Sequence, residues 1–364
     1  MTARQPRSVR VVGTGLVGTS VGLALCSQGV DVTLFDPSPS AVALARDLGA
    51  GRIEPNAAAD LVVVAAPPDV VADVVAAELA ARPDAVVTDV ASVKSLPLKR
   101  LRAMGVDVSR YVGGHPLAGR ERSGAVAARA DLFAGRPWVL TPTEETSEPA
   151  LQMVRWMAGT LGATVSVMDA VEHDEAVAVI SHVPQVAASL VAARLRSAPE
   201  SAVALAGQGV RDVTRIAASD PHLWTQILAG NAGAVARALH ALRDDLDSVL
   251  AAVDALGAQP DDALGARATV AGLVAAGNEG HARIPGKHGS APTVYVAVPV
   301  IVPDRPGELA RLLRDVGDAG VNLEDLRIEH SEGRPMGLAE IDVLPAAAQT
   351  LVGALRERGW TVHA

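Results

Sequence analysis

Two short segments carry side chains that suit proton transfer beside a bound ligand. Ser92 and Lys94 lie in TDVASVK at 88–94, and His115 lies in GGHPLAG at 113–119; each segment follows an apolar run that is typical of a strand. Parallel strands bring their carboxyl ends to one edge of a sheet, where such sheets bind ligands. We therefore expect the two segments to meet there. His115 is then either a base, since a free imidazole has a pKa near ~6.5, or a hydrogen-bonded core histidine.

A glycine-rich loop near the N-terminus has the spacing of a dinucleotide site. Gly13, Gly15 and Gly18 form G-x-G-x-x-G between an apolar run that ends at Val12 and a helical pattern that continues to Ser27. Glycine allows a tight turn and lets the backbone approach a pyrophosphate, whose charge the amides of the helix N-terminus would meet. A tight turn that binds no ligand is the alternative.

An acidic residue follows at the distance that a dinucleotide site requires. Asp36 ends the second apolar run, eighteen residues after Gly18. A carboxylate there accepts hydrogen bonds from ribose and repels a 2′-phosphate, which predicts NAD rather than NADP. Alternatively, Asp36 caps the turn before Pro37. The residues that we expect to contact the cofactor are Gly13, Gly15, Leu16, Val17, Gly18, Asp36 and Pro67.

The elements that must position these residues alternate as in a doubly wound fold. Between residues 8 and 141, short apolar runs alternate with helical stretches, which predicts parallel strands joined by crossover helices. We assign residues 1–147 to a Rossmann-type α/β domain. Its predicted strands are Ser8–Val12, Val30–Phe35, Leu61–Ala66, Ala85–Val90, Tyr111–Gly113 and Pro137–Thr141.

The rest of the chain divides into a helical part and a small α/β unit. In residues 148–282 strand signals mostly vanish, and six apolar side chains between Val235 and Val253 recur every three or four residues, as in an amphipathic helix. The Pro-, Gly- and Ser-containing stretch 283–292 is typical of a linker. Residues 293–364 follow the order strand, helix, strand, strand, helix, strand, which predicts a ferredoxin-like βαββαβ unit.

The composition argues against several classes of protein. A net charge of −9, with only four Trp, two Tyr and two Phe, leaves little to attract or stack a nucleic acid. The single cysteine, Cys26, cannot form a disulfide within the chain, and no Cys/His cluster has metal-ligand spacing. We find neither a run of about eighteen uncharged apolar residues nor a signal-peptide core. We expect a cytoplasmic protein with no metal, no nucleic-acid partner and no membrane.

Further motifs follow along the chain. After the segments already described come HDE at 173–175, SHVPQ at 181–185, DVTR at 212–215, and SDP at 219–221 followed by Trp224. In order and rough spacing they resemble the prephenate dehydrogenase family. The segment DRPGEL at 304–309 resembles the opening of an ACT domain, a ferredoxin-like module that commonly binds amino acids. The resemblance spans nearly the whole chain.

This resemblance implies a fold, a reaction and residue roles. It implies a Rossmann domain, an all-helical dimerisation domain that forms a homodimer, and a C-terminal ACT domain. The reaction would be the oxidative decarboxylation of prephenate to 4-hydroxyphenylpyruvate with NAD⁺, in tyrosine biosynthesis. His115 matches the histidine that accepts the proton of the ring hydroxyl, Ser92 the serine that bonds that hydroxyl, and Arg215 the arginine that grips a carboxylate.

Further substrate contacts are expected on the helices. His182 and Gln185 lie one helical turn apart on the same face, with Pro184 between them to bend the helix. Trp224 either walls the pocket or belongs to the core. Lys94 either binds an anion or pairs with a neighbouring acid.

Two positions depart from the family pattern and leave the substrate open. Arg120 precedes Glu121 where a threonine is expected, and Gln185 stands where some members have histidine. Arogenate, whose ammonium could pair with Glu121, and 4-amino-4-deoxyprephenate are alternative substrates. A non-catalytic amino-acid sensor would have no reason to keep the catalytic set, and a general hydroxyacid dehydrogenase would not explain the tail.

The tail suggests regulation. ACT modules often bind an amino acid where two of them meet, which here corresponds to Asp304, Pro306 and Gly307, with Asn322 on the next strand. We expect tyrosine or phenylalanine to bind there and change the catalytic rate by shifting a conformational population. The alternative is a dimerisation module without a ligand. Likewise, the helix containing 235–253 either forms a homodimer or joins an intrachain bundle.

Overall fold

The structure, a computed structural model, describes residues 5–119, 124–258, 264–285, 295–330 and 335–363. It divides into two compact units, residues 1–244 and 245–364. Arg120 and Glu121, and positions 286–292 of the predicted linker, lie outside the described residues.

The first unit is built on an eight-stranded sheet in the order β3-β2-β1-β4-β5-β6-β7-β8. Neighbouring strands are parallel, except that β6 and β7 are antiparallel. The strand order reverses between β1 and β4, so the carboxyl ends of these two strands flank the crevice where such folds bind ligands. The Rossmann-type sheet is therefore confirmed. The strands are β1 (Ser8–Val12), β2 (Asp31–Phe35), β3 (Arg52–Ile53), β4 (Leu61–Val64), β5 (Val86–Asp89), β6 (Tyr111–Pro116), β7 (Pro137–Thr141) and β8 (Thr164–Val167).

Helices cover both faces of this sheet and explain its continuous apolar strands. In β4, Leu61 and Val63 belong to one hydrophobic core, while Val62 and Val64 belong to another. A strand buried on both faces has no polar side to alternate with. The covering helices are α1 (Leu16–Ser27), α2 (Pro39–Asp47), α3 (Val71–Ala81), α4 (Ser95–Ala103) and α5 (Glu148–Thr160).

Two strands were not predicted from the sequence, and both lie at edges of the sheet. β3 consists of two exposed residues, and β8 has exposed ends with two partly buried residues between them. Without burial on two faces, neither strand has an apolar run that would reveal it. The sheet thus extends beyond residue 147, into the range where strand signals had vanished.

Strand β6 is longer than predicted, which corrects the position of His115. The prediction ended this strand at Gly113, but it continues to Pro116, and His115 pairs with Val139 of β7. Here glycine serves close packing rather than a turn. A Cβ on Gly113 would lie 2.4 Å from Oγ1 of Thr141, and a Cβ on Gly114 would lie 2.6 Å from the carbonyl oxygen of Asp89.

Helices follow the sheet. Pro184, the residue expected to bend the helix, lies at the start of α7 and follows a π-helical turn (Ala178–His182). The helices are α6 (Ala170–Val177), α7 (Val183–Arg194), α8 (Glu200–Val203), α9 (Gln208–Thr214) and α10 (Pro221–Gly230), with 3₁₀ turns at Leu195–Ser197 and Arg215–Ala217.

The helical run Ala170–Ser197 is long and apolar enough to span a bilayer by length and composition alone. It also carries His173, Asp174 and His182 at buried positions within the first unit. Buried polar side chains of this kind are typical of a helix that contributes to a site inside the protein.

The second unit contains the end of α11 (Ala232–Ala258), then α12 (Leu264–His281) and a four-stranded antiparallel sheet in the order β10-β11-β9-β12. Both the element order and the strand order are those of a ferredoxin-like unit, as predicted. Asn322 precedes β10 instead of lying on it, which corrects its predicted position. The elements are β9 (Val296–Pro303), α13 (Glu308–Asp318), β10 (Asp325–His330), β11 (Met336–Val343), α14 (Pro345–Glu357) and β12 (Thr361–Val362).

Candidate active site

The glycine loop follows β1 and has the shape that a dinucleotide needs. Gly13 adopts φ of +99°, and a Cβ there would lie 2.3 Å from the carbonyl oxygen of Ala65, at the end of β4. A Cβ on Gly18 would lie 2.0 Å from the carbonyl oxygen of Gly13. These two glycines are therefore required by the packing of the loop against its own helix and the neighbouring strand.

Gly15 plays a different part, because a Cβ there would meet no described atom within 4 Å. It is the N-cap of α1, whose first turn contains the uncharged residues Leu16, Val17, Gly18 and Thr19. Backbone amides at a helix N-terminus whose first turn contains no acidic residue favour an anion. This loop fits the pyrophosphate of NAD, with the partly buried Leu16 and Val17 beside it.

The Asp36 carboxylate holds the glycine loop. Its Oδ2 accepts hydrogen bonds from N of Thr14 at 2.7 Å and from Oγ1 of Thr14 at 3.0 Å, while Oδ1 accepts one from N of Ser38 at 2.8 Å. Asp36 thus caps the turn after β2 and also lies beside the glycine loop, where an adenosine ribose would bind. Pro67 lies exposed after β4, on the same edge of the sheet.

His115 belongs to a chain of three side chains. Its Nδ1 lies 2.8 Å from Nε2 of His173, and Nδ1 of His173 lies 2.8 Å from Oδ1 of Asp174. His115 comes from β6, whereas the other two residues come from α6. The two elements are therefore joined through side chains at the catalytic edge of the sheet.

Asp174 also binds the segment that follows Ser92. Its Oδ1 accepts a hydrogen bond from N of Lys94 and its Oδ2 accepts one from N of Ser95, each at 2.9 Å. Ser92 lies partly buried in this loop between β5 and α4. The same carboxylate therefore contacts the histidine chain and the serine loop.

Lys94 is fully buried and pairs with Asp89, the second of its two predicted roles. Its Nζ donates to Oδ1 of Asp89 and to the carbonyl oxygen of Gly114, the residue before His115. Oδ2 of Asp89 accepts a hydrogen bond of 2.6 Å from the hydroxyl of Tyr111. Burial lowers the pKa of Lys94 and raises that of Tyr111. This buried pair supports the backbone that carries His115.

The environment keeps two imidazoles uncharged. Burial, followed by the neighbouring His173, Lys94 and His182, lowers the pKa of His115 well below its ordinary value. Burial also lowers the pKa of His182 to about 4. A neutral imidazole can accept a proton, so His115 is suited to act as a base at neutral pH.

His182 is fixed by contacts from two elements. Its Nδ1 lies 3.2 Å from Nδ2 of Asn231, and that same amide donates to the carbonyl oxygen of Asp174 at 2.6 Å. The ring of Trp224 meets His182 edge-on, with centroids 6.0 Å apart. His182 is therefore held by Asn231 and packs against Trp224 of α10.

Gln185 and Arg215 lie further along the helices. Gln185 is buried, and its Oε1 accepts a hydrogen bond of 3.4 Å from Oγ of Ser219. Arg215 is exposed on the 3₁₀ turn that packs against α7, the helix of Gln185. Both residues therefore lie on neighbouring elements.

The sequence alone does not reveal the roles of several of these residues. The His173-Asp174 doublet stands out as a motif without a role, and neither Asn231 nor Tyr111 stands out as a site residue. A buried His-Asp pair one residue apart on a predicted helix was the available signal for the doublet. No local pattern indicates a role for Asn231, because this residue, at the end of α10, contacts Asp174 and His182 only in the folded structure.

The arrangement can oxidise an alcohol. It places a neutral imidazole on the strand beside a serine loop, at the same sheet edge as a loop that fits a dinucleotide. Removal of a hydride from a carbon and of a proton from its hydroxyl requires these two parts together.

Family models match two consecutive regions of the chain. Residues 21–167 match the model described as prephenate dehydrogenase, nucleotide-binding domain, and residues 169–263 match that described as prephenate dehydrogenase, dimerization domain. A probable prephenate dehydrogenase of Streptomyces niveus is 40% identical over 366 residues, which cover 98% of this chain and 99% of that protein.

Crystal structures of similar proteins have the same fold. Prephenate dehydrogenase from A. aeolicus, in complex with hydroxyphenyl propionate and NAD⁺, superimposes with a TM-score of 0.65 at 27% identity and covers 76% of this chain and 98% of its own. Arogenate dehydrogenase from Synechocystis gives a TM-score of 0.61 at 26% identity and covers 75% of this chain and 98% of its own.

We predict that Gly15→Ala and Gly18→Ala separate cofactor binding from folding. Gly15→Ala should keep the wild-type melting temperature but weaken NAD⁺ binding by at least ~10-fold, about 1.4 kcal/mol, because the methyl group occupies the approach of the pyrophosphate. Gly18→Ala should lower the melting temperature, because its Cβ would meet the Gly13 carbonyl. Calorimetric titration and thermal melting check both, and unchanged NAD⁺ affinity in Gly15→Ala would contradict this site.

Proposed function

The chain belongs to the prephenate dehydrogenase family of NAD-dependent dehydrogenases, and we propose that it catalyses the oxidative decarboxylation of prephenate to 4-hydroxyphenylpyruvate. The observation that carries the proposal is the hydrogen-bond chain from His115 through His173 to Asp174, beside the Ser92 loop. Tyrosine biosynthesis is the context in which this product is used.

The chain's own residues move one proton. NAD⁺, when bound, accepts the hydride from the ring carbon that bears the hydroxyl group. His115 accepts the hydroxyl proton as the C=O bond forms, and it returns a proton to the same oxygen when loss of CO₂ leaves a phenolate. The reaction therefore requires no net proton exchange with solvent, and a buried base is sufficient.

A lowered pKa suits both steps at His115. The base remains neutral at physiological pH, since burial and the neighbouring His173, Lys94 and His182 lower its pKa. Once formed, that imidazolium is a stronger acid than a free one and readily protonates a phenolate, whose conjugate acid has a pKa near ~10. Ser92 orients the hydroxyl toward His115 by a hydrogen bond.

The side chain of the substrate would bind toward α7 and α10. Arg215 supplies a guanidinium for a carboxylate, and Gln185 supplies a neutral amide. An amide N–H suits the keto oxygen of prephenate, and this supports prephenate over arogenate. Trp224 and His182 form the wall beside the ring. Lys94, buried against Asp89, contributes through the backbone of Gly114.

Arogenate is the second candidate substrate. Its ammonium would require an acidic partner, and Glu121 is the residue that we propose for that role. The similarity to the Synechocystis arogenate dehydrogenase supports keeping this alternative.

We also propose that the protein acts as a cytoplasmic homodimer. Residues 169–263 match a dimerization-domain model, and the apolar stripe on α11 is largely exposed, with Leu246 at 62% and Leu250 at 55%. An exposed apolar stripe argues against the intrachain bundle and supports a second copy as its cover.

The ferredoxin-like unit would be an ACT domain that regulates the enzyme. Its topology supports this, and Asp304, Pro306 and Gly307 form an exposed turn before α13. Gly307, with φ of +89°, is the N-cap of that helix. Asn322 is exposed between α13 and β10, and its Nδ2 donates a hydrogen bond of 2.7 Å to Oε1 of Glu324. We assign tyrosine or phenylalanine as the ligand.

A comparison of substrates tests the proposed reaction. Steady-state rates with prephenate, arogenate and 4-amino-4-deoxyprephenate, each with NAD⁺ and NADP⁺, should give the highest kcat/KM for prephenate with NAD⁺. Preference for arogenate would replace the first candidate with the second, and no turnover of any of the three would contradict the proposed function.

Replacement of the base tests the role of His115. His115→Asn should lower kcat roughly 10²- to 10⁴-fold with little change in NAD⁺ affinity, the range for loss of a positioned acid–base group. In the wild type, protonation should inactivate the base only at its lowered pKa, so the acid limb of kcat/KM should lie below pH ~6.5. Full turnover of the variant, or an acid limb at higher pH, would contradict this role.

Titration with amino acids tests regulation. Tyrosine or phenylalanine at millimolar concentration should change both the rate and the melting temperature, because a bound ligand stabilises the state that it prefers. Asp304→Ala should abolish the response at an unchanged basal rate. The regulatory role is excluded if neither amino acid changes the rate or the melting temperature.

A further inference from the structure

We infer that His173 and Asp174 are positioning residues that hold His115 in the tautomer able to accept a proton at Nε2, and that Asp174 also holds the Ser92 loop in place. This inference rests on the proposed function, because it concerns how the base of that reaction is prepared. Neither residue needs to touch the substrate.

The direction of each hydrogen bond follows from the carboxylate. Ionised Asp174 only accepts, so Nδ1 of His173 must donate to it across 2.8 Å. With one ring proton on His173, placed on Nδ1, the other nitrogen, Nε2, is an acceptor. His115, whose Nδ1 lies 2.8 Å from it, must donate. The lone pair of His115 is consequently on Nε2, the nitrogen free to take a proton from a hydroxyl group.

Asp174 is held in the ionised form that this chain requires. Burial opposes its ionisation, but hydrogen bonds from His173 and from the backbone of Ser95 and Lys94 outweigh burial and lower its pKa. Ser95 is the first residue of α4 and Lys94 is its N-cap, so the carboxylate also lies at the positive end of a helix dipole. The carboxylate at the end of this hydrogen-bond chain is thus kept ionised by contacts that the fold provides.

The charged and titratable groups around His115 are arranged consistently with this role. From the loop before α4, the ammonium of Lys94 is neutralised by Asp89, which Tyr111 of β6 also bonds. From the helical run, His182 has a pKa of about 4 and is neutral. Asp174, reached through His173, is therefore the carboxylate that supports a proton on His115.

Existing contacts make a role in binding substrate directly unsuitable for the pair, because both ring nitrogens of His173 and both carboxylate oxygens of Asp174 already have protein partners. His173 is 1% exposed and Asp174 is 4% exposed, whereas His115 is partly buried. The geometry instead connects three elements: β6 through His115, α6 through the pair, and α4 with the serine loop through two backbone amides. The positions of His115 and the Ser92 loop, which would both contact the substrate hydroxyl, are thus fixed by the same His173–Asp174 pair.

Two substitutions of His173 separate its two contacts. In His173→Gln the side-chain oxygen can reach the position of Nε2 and accept from His115, whereas in His173→Asn the amide can reach the position of Nδ1 and donate only to Asp174. With the substrate that the wild type oxidises, His173→Asn should lower kcat roughly 10- to 100-fold with KM nearly unchanged, as for loss of a partner that orients an imidazole. His173→Gln should retain most of kcat.

The exposed His363→Gln serves as the matched control and should equal the wild type. A second measurement needs no turnover: ¹⁵N NMR of histidine-labelled apo-enzyme should show His115 protonated at Nδ1 in the wild type and in His173→Gln, and not in His173→Asn. An enzyme that oxidises none of the substrates refutes the proposed function, while this spectrum still tests the tautomer. Wild-type kcat in His173→Asn, equal losses in both variants, or His115 protonated at Nε2 in the wild type would overturn the inference.

Discussion

The hydrogen bond between His115 and His173 joins β6, which carries the proposed base, to α6, which carries Asp174. A neutral imidazole has its lone pair on a defined nitrogen when its other nitrogen donates a hydrogen bond to a fixed partner. Here α6 supplies that partner, and this helix follows the last strand of the sheet along the chain. The packing of the helical run against the sheet is therefore a condition for chemistry as well as for stability.

Close packing beneath His115 serves the same end. Gly113 and Gly114 bring β6 against Thr141 and Asp89, where any side chain would collide. The space so gained is used by Lys94, whose ammonium bonds both Asp89 and the carbonyl of Gly114. A buried charge pair is costly to desolvate and contributes specificity of position more readily than net stability. The contact of this pair with β6, the strand of His115, agrees with a role in fixing the position of that strand.

Much of this could be predicted from local sequence signals. The glycine loop, Asp36, the doubly buried strands and the ferredoxin-like order all follow from patterns within a few residues, and the structure bears out their fold. The edge strands β3 and β8 could not be foreseen, because half-exposed strands lack an apolar run. The end of β6 was misplaced because glycines that normally mark a turn here permit close contact. Asn231 and Lys94 depended on tertiary contacts that no local pattern encodes.

The π-helical turn at Ala178–His182 has a consequence for how this segment can vary. A π turn contains one residue more than an α-helical turn, so the helix beyond it is rotated by about 100° relative to an uninterrupted one. Val179 and Ile180 in this turn are exposed and should accept many replacements. Regular α-helical winding of the same sequence would turn Gln185 away from its present neighbours, whereas loss of one of these residues would let a regular helix keep Gln185 where it lies. This segment should therefore tolerate the loss of one residue in the π turn better than the gain of one.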